Sequence, residues 1–465
     1  MPNCASAEID LAVSGGMAMP IALTIAGSDS GGGAGIQADL KTFAALGVYG
    51  ASVITSVTAQ NTLEVTGIHD LPPEFIILQL DTVVRDLSID AIKTGMLSNP
   101  AIIRAVSQRL QTLGVKKLVV DPVMVAKGGA ALLRKEAEAE LIQSLLPLAY
   151  VVTPNLGEAE VLAAMSIRNL GEMEQAARRI HAQGARHVVV KGGHLEGPPI
   201  DVLFDGQRFE HVAGERIETK SLHGTGCTFA SAIAAELAKG AEVLEAVRRA
   251  KAYITTAIRL AAPIGHGFGP THHFGALYRQ AARYDILLQL EEALTQLRAG
   301  RIAALIPEVQ SNLGLALPHA TTLQEVAAWE GRIVRLREDI QPVGSPRFGT
   351  PQHVATIILA VMRVDLEYRS AMNIRSGEAV MQACQVAKLR IAPLTYGDGP
   401  VEARSHDGSS RASKIAEAAQ RMGIVPDIIS DPGMVGQEAM VWVLGHDAAE
   451  VARKILLIRQ HLVGH

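Results

Sequence analysis

A glycine-rich segment with one cysteine is the most chemically suggestive part of this sequence. HGTGCTFASA begins at His223 and places Gly224, Thr225, Gly226 and Cys227 at the start of an alanine-rich run that predicts a helix. Backbone N–H groups at a helix start stabilise negative charge, including the charge on a phosphoryl group in transfer. The same positive end lowers the pKa of a thiol, so Cys227 is a candidate general base. A small cysteine buried in a first helical turn is the structural alternative.

Two more segments carry side chains suited to a nucleotide and its metal ion. TPNLGEAE contains Asn155 and Glu158, KGGH contains Lys191, and each segment follows an apolar run that predicts a strand. Asparagine and glutamate oxygens suit magnesium-bound water or phosphate, and a lysine neutralises the phosphates of ATP. Loops at the carboxyl ends of parallel strands converge on one crevice, so we expect these segments and the Cys227 motif to line one site.

A second glycine-rich loop lies near the beginning of the chain, where AGSDSGGGAGIQADLKTF leads from a predicted strand into a predicted helix. Glycines let the backbone approach a ligand closely, and the N–H groups of the helix start favour an anion. The loop has neither the Lys-Ser/Thr pair of a Walker motif nor the glycine spacing of a dinucleotide site. A tight strand-to-helix turn explains it equally well when it is taken alone.

The polar motifs lie among short apolar runs that alternate with amphipathic stretches. The runs IALTIAG, ASVITSV, DAIKTG, KKLVVD, AYVVT and HVVVK predict strands, and residues 74–87, 136–146 and 174–183 predict helices. Continuous apolar runs are typical of buried parallel strands, which crossover helices connect. The first half of the chain is therefore predicted to be an α/β domain with a mainly parallel sheet covered on both faces.

Length and composition narrow the class of protein. The 465 residues exceed what one core usually organises, and 48% hydrophobic content suits a two-domain α/β protein. A net charge of -4 gives no basic field for nucleic acid or for an anionic membrane. Three scattered cysteines predict neither a disulfide framework nor a cysteine zinc site, and the apolar runs fall short of the ~20 residues of a bilayer span. We therefore expect a cytoplasmic protein.

The alternating pattern stops at a cluster of glycine, proline and histidine. A predicted helix over residues 241–262 is followed by IGHGFGPTHHF, where helix propensity collapses. We predict a flexible extension at 1–19, a first domain at 20–274, a linker at 275–283 and a second α/β domain at 284–465. An amphipathic helix begins the second domain.

Taken together, the motifs of the first domain resemble one enzyme family. GSDSGGGAGIQADLKTF, TAQNT, KTGML, DPVMVAKGG, TPNLGEAE, KGGH, HGTGCTFASA and GPTHHF are similar to the hydroxymethylpyrimidine kinases (ThiD) of the ribokinase-like fold. The resemblance implies a three-layer domain that uses ATP to phosphorylate hydroxymethylpyrimidine and then its monophosphate. Pyridoxal kinases are the nearest competing assignment, and the TAQN and KTGM segments favour the pyrimidine.

The resemblance also assigns residues to the pyrimidine substrate. It implies that Gln60 holds the aminopyrimidine and that Met96 and Val123 line the pocket of the ring. Gly27 and Asp29 would lie near the hydroxymethyl or phosphate end. An amide such as that of Gln60 offers both a donor and an acceptor to the ring edge.

ATP and Mg²⁺ are assigned by the same resemblance to the polar motifs described above. The implied ATP-binding residues are Asn155, Glu158, Lys191, Gly224, Thr225 and Gly226, and the implied Mg²⁺ residues are Glu158 and Asp121. Cys227 stands where related sugar kinases have an aspartate base, so a thiolate there would take the proton of the substrate hydroxyl. Kinases of this fold are often oligomeric, which implies a homo-oligomer.

The second domain contains polar motifs but no familiar nucleotide loop in its sequence. Its candidate site residues, from the segments IPEVQSN, GRIVRLREDIQPVGSPRFGTPQHVA and AMNIR, are Asn312, Arg332, Arg347, His353, Asn373 and Arg375. Arginines near turns match phosphate geometry, and a histidine near a helix start can donate to an oxyanion or a leaving group. Surface ion pairs and a capping histidine are the alternative for any one of them.

These motifs, with DPGxVGxEAM, resemble the ThiN family of thiamine-phosphate synthases. The resemblance implies condensation of hydroxymethylpyrimidine diphosphate with hydroxyethylthiazole phosphate, releasing pyrophosphate. Arg332 and His353 would stabilise the leaving group, and the other candidates would bind phosphate or pyrimidine. Many relatives have glycine where this chain has Gln310, and Met434, Gln437 and Ala439 also depart from the family pattern.

The product expected of the first domain is the first substrate expected of the second. We therefore predict a bifunctional enzyme of thiamine biosynthesis. Two other interpretations of the second domain stay open, a non-catalytic sensor of thiamine phosphate and a structural domain that stabilises an oligomer. A ThiN-like transcriptional regulator needs a DNA-reading helix-turn-helix, and we find no such element in the sequence.

Overall fold

A computed structural model of the chain describes residues 19–126, 128–130, 132–349, 352–394, 408–433 and 438–462. Nearly all of the predicted extension at 1–19 therefore lies outside the described residues. The chain divides into two compact units, Met1–Leu277 and Tyr278–His465. The division falls inside the predicted linker at 275–283, and that segment forms the first turns of a helix.

Nine strands in the described part of the first unit form one sheet, in the order β3-β2-β1-β4-β5-β6-β7-β8-β9. Neighbours from β2 to β7 are parallel, whereas β3, β8 and β9 pair antiparallel at the two edges. The prediction of a mainly parallel sheet is confirmed. The strands are β1 (Ile21–Asp29), β2 (Tyr49–Gln60), β3 (Val65–Asp70), β4 (Ala91–Thr94), β5 (Leu118–Val120), β6 (Val151–Val152), β7 (Val188–Val190), β8 (Ile200–Phe204) and β9 (Phe209–Ala213).

Helices cover both faces of this sheet because alternate residues of each central strand point to opposite faces. In β5, Leu118 and Val120 enter one hydrophobic core and Val119 enters the other. The predicted helix at 136–146 is irregular: it continues as a π-helical turn and a 3-10 turn, where Pro147 lacks the N–H that an α-helix needs. The helices are α1 (Gly35–Ala45), α2 (Pro73–Asp86), α3 (Pro100–Leu113), α4 (Ala137–Glu140), α5 (Leu156–Ala163), α6 (Leu170–Ala182), α7 (Thr225–Ala238) and α8 (Val243–Arg259).

The described part of the second unit contains a seven-stranded sheet in the order β14-β11-β10-β15-β18-β17-β16 and a separate β12-β13 hairpin. Only β16 and β17 pair in parallel among its described strands. The strands are β10 (Leu313–Ala316), β11 (Val326–Trp329), β12 (Ile333–Leu336), β13 (Asp339–Pro342), β14 (Pro346–Phe348), β15 (Ser370–Arg375), β16 (Ile391–Pro393), β17 (Ile428–Asp431) and β18 (Met440–Gly445).

Five helices accompany these strands in the described part of the second unit. They are α9 (Gly275–Ala299), which begins at the end of the first unit, α10 (Gln352–Met362), α11 (Glu378–Val386), α12 (Gly408–Met422) and α13 (Ala448–Gln460). None of the described helices of either unit combines the length and the apolar character needed to cross a bilayer.

A buried ammonium group ties α13 to the sheet of the second unit. The side chain of Lys454 is 7% exposed, and its Nζ lies 2.8 Å from Asp427 Oδ1 and 2.9 Å from Glu450 Oε1. It also donates to the Leu444 carbonyl at 2.7 Å. Burial would raise the pKa of the Asp427 carboxyl, but hydrogen bonds from Arg390 and Lys454 hold it well below its usual range.

We expect Lys454→Met to destabilise the second unit by about 2 kcal/mol, because two largely buried carboxylates lose their shared cation while Asp427 keeps Arg390. Lys414→Met is the matched control, since Lys414 pairs with Glu417 at the surface and its loss should cost less than ~0.5 kcal/mol. Both tryptophans of the chain lie in the second unit, so urea unfolding followed by tryptophan fluorescence measures this unit. Equal midpoints for the two variants would contradict the prediction.

Candidate active sites

Asp29 organises the glycine-rich loop that follows β1. Its carboxylate accepts hydrogen bonds from the N–H groups of Gly31 at 2.8 Å, Gly33 at 3.0 Å and Ala34 at 2.8 Å. The ring of His223 lies 2.9 Å from Oδ2. Burial raises the pKa of the Asp29 carboxyl, but the hydrogen bonds from His223 and Ala34 lower it more, so the net pKa is below its ordinary value. Asp29 is therefore an ionised anchor that shapes this loop.

The Nε2 atom of His223 lies beside both Asp29 and Gln60, and sequence reasoning missed His223 as a candidate site residue. The side-chain amide of Gln60 lies 3.3 Å from His223 Nε2, and Gln60 Oε1 lies 3.2 Å from the hydroxyl of Thr58. An ionised carboxylate only accepts, so the His223 nitrogen that faces Asp29 carries a proton. His223 could have been noticed from the sequence, because it stands four residues before Cys227 in the same motif.

The two glycine-rich loops pack backbone against backbone. Gly224 has a φ of 79°, and a Cβ there would lie 1.8 Å from the carbonyl oxygen of Gly33. A Cβ on Gly33 would lie 2.3 Å from the ring of His223. Because α1 begins at Gly35 and α7 at Thr225, the packed loops bring two helix N-termini to one place. Their N–H groups favour an anion such as a phosphoryl group.

The predicted pocket residues Gly27 and Met96 are also in contact with this region. A Cβ on Gly27 would lie 3.0 Å from the sulfur of Met96, and a Cβ on Gly35 would lie 2.4 Å from the Gly27 carbonyl oxygen. Met96 is fixed by the hydroxyl of Thr55, which donates to its carbonyl at 2.8 Å. Val123 follows β5 two residues after Asp121, with its N–H donating to the Asp121 carbonyl.

Charged residues of the predicted ATP site cluster beside the N-terminus of α7. Lys191 Nζ donates to Asp121 Oδ1 at 3.2 Å. A Cβ on Gly226 would lie 3.4 Å from Lys191 Nζ and 3.8 Å from Asp121 Oδ2. Burial would lower the pKa of Lys191, but Asp121 and Glu158 raise it above its ordinary value, so the side chain is an ammonium. As the sequence predicted, the structure brings Lys191 close to the segment that carries Cys227.

Asn155 and Glu158 form a reciprocal cap at the start of α5. Asn155 Oδ1 accepts the N–H of Glu158 at 3.0 Å, and Glu158 Oε2 accepts the N–H of Asn155 at 2.8 Å. Burial, opposed by Lys191 and reinforced by Asp121, raises the pKa of Glu158 to about 7. Both residues thus shape the loop that carries them, in addition to the nucleotide role predicted from the sequence.

Asp121 offers an oxygen to a cation. The residue is 2% exposed, and among the described residues its Oδ2 finds no hydrogen-bond partner. A buried carboxylate oxygen without a partner is costly, so a ligand at this point would stabilise it. No group of three or more His, Cys, Asp or Glu side chains in the described ranges forms a metal cage. Mg²⁺ in phosphoryl-transfer sites needs only one or two carboxylates together with substrate phosphates, and Asp121 with Glu158 fits that donor set.

Cys227, the third residue of α7, has a thiol that is harder to ionise than the sequence suggested. Burial raises the pKa of the Cys227 thiol to about 11, the ammonium of Lys93 opposes this rise, and Asp39 and Asp121 reinforce it. The N–H of Gly35 also favours the thiolate. The expectation that the helix end lowers this pKa is therefore wrong, because desolvation of the sulfur outweighs the helix end. The resting side chain is a thiol.

Two predicted ligands of the second unit are bonded to its own backbone. Asn312 Oδ1 accepts the N–H of Trp329 at 3.0 Å, and its Nδ2 donates to the Trp329 carbonyl at 2.8 Å. Asn373 Oδ1 accepts the N–H of Asn312 at 2.8 Å, and its Nδ2 donates to the Gln310 carbonyl at 2.9 Å. These buried amides hold the loop at 310–312 against β11 and β15, which is a positioning role.

Arg332 lies beside the same loop, where its guanidinium donates to the carbonyl of Val309. The carboxylate of Glu438 accepts the N–H groups of Glu308 at 3.1 Å and of Val309 at 3.0 Å. Sequence reasoning missed Glu438, although it could have been noticed as the one acidic residue of the GQEAM segment. Gln310 has a φ of 67°, so the residue that replaces the family's glycine is in the left-handed region at a cost of about 1 kcal/mol.

The other predicted synthase residues lie on separate elements. Arg347 on β14 is exposed and 3.6 Å from Glu330, Arg375 ends β15 in an exposed position, and His353 is exposed in the first turn of α10. The structure thus gathers Asn312, Arg332 and Asn373 at one loop. Met434 and Gln437 lie outside the described residues.

Comparison with known protein families assigns the first unit. Residues 29–272 match the family model for phosphomethylpyrimidine kinase, which is more than half of the chain. The chain belongs to the phosphomethylpyrimidine kinase family. Residues 289–457 match thiamine-phosphate synthase ThiN. Both resemblances drawn from the motifs are confirmed.

Relatives of this kinase-family chain include proteins with one and with two functions. The thiamine biosynthesis bifunctional protein ThiED of Geobacter sulfurreducens is 56% identical over 54% of this chain and 51% of its own length. The chain thus spans about half of that relative. The hydroxymethylpyrimidine/phosphomethylpyrimidine kinase of Rhizobium meliloti is 55% identical over 55% of this chain and 97% of its own length.

Among solved structures, the ADP complex of Bacillus subtilis pyridoxal kinase is 44% identical, with a TM-score of 0.53 over 56% of this chain and 99% of that chain. This similarity confirms the ribokinase-like fold predicted for the first unit. Each of these alignments covers little more than half of the chain, so the assignment of the second unit rests on the ThiN match.

Proposed function

We propose that the chain is a bifunctional enzyme of thiamine biosynthesis. The first unit would use ATP to phosphorylate hydroxymethylpyrimidine and its monophosphate, and the second would join the resulting diphosphate to hydroxyethylthiazole phosphate. One observation carries the kinase half: the helix start that holds Cys227 lies against the Lys191–Asp121 pair and the Asp29 loop. A phosphoryl-transfer site needs a base beside the accepting hydroxyl, charged groups for the nucleotide and a loop for the substrate, and we assign these roles to the three features in that order.

In the kinase step, the substrate O–H gives its proton to Cys227 Sγ in the thiolate form. The substrate oxygen then bonds to the γ-phosphorus, and the bond from that phosphorus to the ADP oxygen breaks. The N–H groups of Thr225 and Gly226 and the Lys191 ammonium stabilise the charge on the transferring group. Asp121 and Glu158 would hold Mg²⁺, which supplies further neutralisation of the ATP phosphates. The same acceptor site would serve the second phosphorylation.

In the synthase step, the bond between the pyrimidine methylene carbon and the diphosphate oxygen breaks, and the thiazole nitrogen bonds to that carbon. The 4-amino group of the pyrimidine supports the positive charge on the methylene. The protein must then neutralise departing pyrophosphate and position the thiazole. We assign leaving-group stabilisation to Arg332 and His353, and phosphate binding to the exposed Arg347 and Arg375.

The test combines both units in one reaction. Full-length protein is incubated with hydroxymethylpyrimidine, ATP, Mg²⁺ and hydroxyethylthiazole phosphate, and the products are identified by mass spectrometry. Thiamine phosphate that depends on both ATP and the thiazole is the expected result. Accumulation of the pyrimidine diphosphate alone would leave the kinase and favour a sensor for the second unit. Formation of neither product would overturn the pyrimidine assignment, with pyridoxal the next substrate.

The raised thiol pKa gives the kinase a defined pH dependence. A thiol with a pKa of about 11 is protonated at neutral pH. As long as the pH is below the pKa, each rise of one pH unit increases the thiolate fraction about tenfold. We expect kcat for pyrimidine phosphorylation to increase between about pH 6 and pH 9. A steady-state pH profile at saturating ATP measures this. A profile that falls over the same interval would exclude the thiolate as the base.

The sensor alternative for the second unit has its own test. We expect Arg332→Met to abolish thiamine phosphate formation from supplied pyrimidine diphosphate while the kinase rate stays unchanged, because Arg332 belongs to the second unit. Ligand binding without turnover in the unaltered protein would favour a sensor. We also propose a cytoplasmic homo-oligomer, and light scattering on the purified chain tests the oligomer.

A further inference from the structure

A fully buried ion pair lies close to the kinase site, and the phosphoryl-transfer step described above does not use it. The side chains of Lys93 on β4 and Asp39 on α1 are both 0% exposed, and Lys93 Nζ lies 2.9 Å from each Asp39 oxygen. The hydroxyls of Thr24 and Ser231 also donate to Asp39, each at 2.6 Å. Burial would lower the pKa of Lys93, but Asp39 raises it above its ordinary value, so Lys93 carries a charge.

The pair is placed by two contacts between α1 and α7. The N–H of Gly35 on α1 interacts with the thiol of Cys227 on α7. Four residues further along each helix, Asp39 accepts the hydroxyl of Ser231. Residues four apart lie on the same face of a helix, so the second contact is one turn beyond the first. The Asp39–Lys93 pair therefore lies one helical turn behind the Cys227 thiol.

Stability alone does not explain such a pair. Replacing a buried ion pair by apolar side chains of similar size is often neutral or stabilising, because taking two charges out of water is costly. Gly95 leaves room for this ammonium because it has no side chain. A Cβ at that position would lie only 2.9 Å from Lys93 Nζ. A charge kept at this position is therefore better explained by its effect on a neighbouring group.

We propose that Lys93 is a positioning residue for phosphoryl transfer, whose ammonium, fixed by Asp39 one helical turn behind Cys227, stabilises the thiolate that accepts the substrate proton. Lys93 is fully buried, so it acts through Cys227 and does not touch the substrate. The charged groups that face the thiol are Lys93 from β4, Asp39 from α1, and Asp121 and Lys191 from the loops after β5 and β7. The inference rests on the proposed kinase function.

The test measures the ionisation of Cys227 directly. In a Cys4→Ser, Cys384→Ser background, Cys227 is the one remaining cysteine, and its rate of alkylation by iodoacetamide is followed against pH. Lys93→Met is expected to move the alkylation midpoint up by about one pH unit, because the Lys93 charge then no longer opposes the effect of the buried Asp39 carboxylate on the sulfur. Asp39→Asn is expected to move the midpoint down, because Cys227 and Asp121 also favour the Lys93 ammonium, which then acts without the opposing charge of Asp39. The double variant should fall between them.

The two single substitutions break the same ion pair. If the pair had only a structural role, both would destabilise the protein similarly, and the alkylation midpoint would shift in the same direction in both or would not shift. Opposite shifts support the proposal, and any other pattern overturns it. The double variant keeps the test usable where a single substitution prevents folding, since it leaves no unpaired buried charge. Asp81→Asn with Arg109→Met is the matched control, because this pair joins α2 to α3 and should not move the midpoint.

Turnover separates this inference from the function on which it rests. In the same background, we expect Lys93→Met to lower kcat for pyrimidine phosphorylation about tenfold at neutral pH, in step with the loss of thiolate, with little change in KM for ATP. Opposite midpoint shifts in a protein without kinase turnover would overturn the proposed function and keep the Lys93–Cys227 coupling. Normal turnover with an unmoved midpoint would overturn the coupling and keep the function.

Discussion

We expect Cys227→Ala to lower the kinase kcat by at least about 100-fold, because general base catalysis typically contributes a factor of 10² to 10⁴. Alanine is a good helix former and should leave the first turn of α7 intact. The loss should therefore appear in kcat, with KM for ATP nearly unchanged. Cys384→Ala is the matched control, since Cys384 is a buried cysteine of α11 in the second unit and should leave the kinase rate unaltered.

The two-unit organisation makes this prediction sharper. With hydroxymethylpyrimidine and ATP as the starting materials, Cys227→Ala should form almost no thiamine phosphate. When hydroxymethylpyrimidine diphosphate is supplied instead, the same variant should form thiamine phosphate at the rate of the unaltered chain, because the second unit has its own core. Mass spectrometry of both reactions decides the matter. A variant that retains a third or more of the kinase rate would show that the thiol is not the base.

The central strands could be predicted because burial on both faces leaves a continuous apolar run, as in IALTIAG for β1 and HVVVK for β7. The edge strands β3, β8 and β9 were missed. β3 alternates partly buried and exposed residues, and its polar positions hide it among the loops. In the second unit most strands have three or four residues, so the sequence could not specify which strands pair or that their pairing is mainly antiparallel.

The sequence predicted which candidate segments lie close together better than it predicted the ionisation and hydrogen bonding of their side chains. The rule that loops converge at the carboxyl ends of parallel strands correctly brought Glu158, Lys191 and the Cys227 motif together. Motif spacing could not reveal how much protein surrounds the sulfur of Cys227, and desolvation decides its pKa. Nor could it reveal that the amides of Asn312 and Asn373 are bonded to backbone groups, because an asparagine that holds a loop and one that holds a ligand look the same in a sequence.

The second large effect concerns the contact between the two glycine-rich loops. Gly224→Ala should lower the kinase rate by more than about 100-fold, since the added Cβ would lie 1.8 Å from the carbonyl oxygen of Gly33. The obstructing atom belongs to the backbone, so it cannot rotate away as a flexible side chain would. Relief requires the loops to separate, which would move the N-terminus of α7 away from that of α1 and dismantle the anion site.

A matched glycine at the other end of the same helix separates this clash from backbone strain. Gly240 follows α7 with a φ of 91°, and a Cβ there would meet nothing within 4 Å. Gly240→Ala therefore carries only the left-handed strain, about 1 kcal/mol, and should leave the kinase rate unchanged. Thermal melting and initial rates of both variants measure the two effects. Equal activities would mean that the loops can part without loss of the site, whereas selective loss in Gly224→Ala ties phosphoryl transfer to their contact.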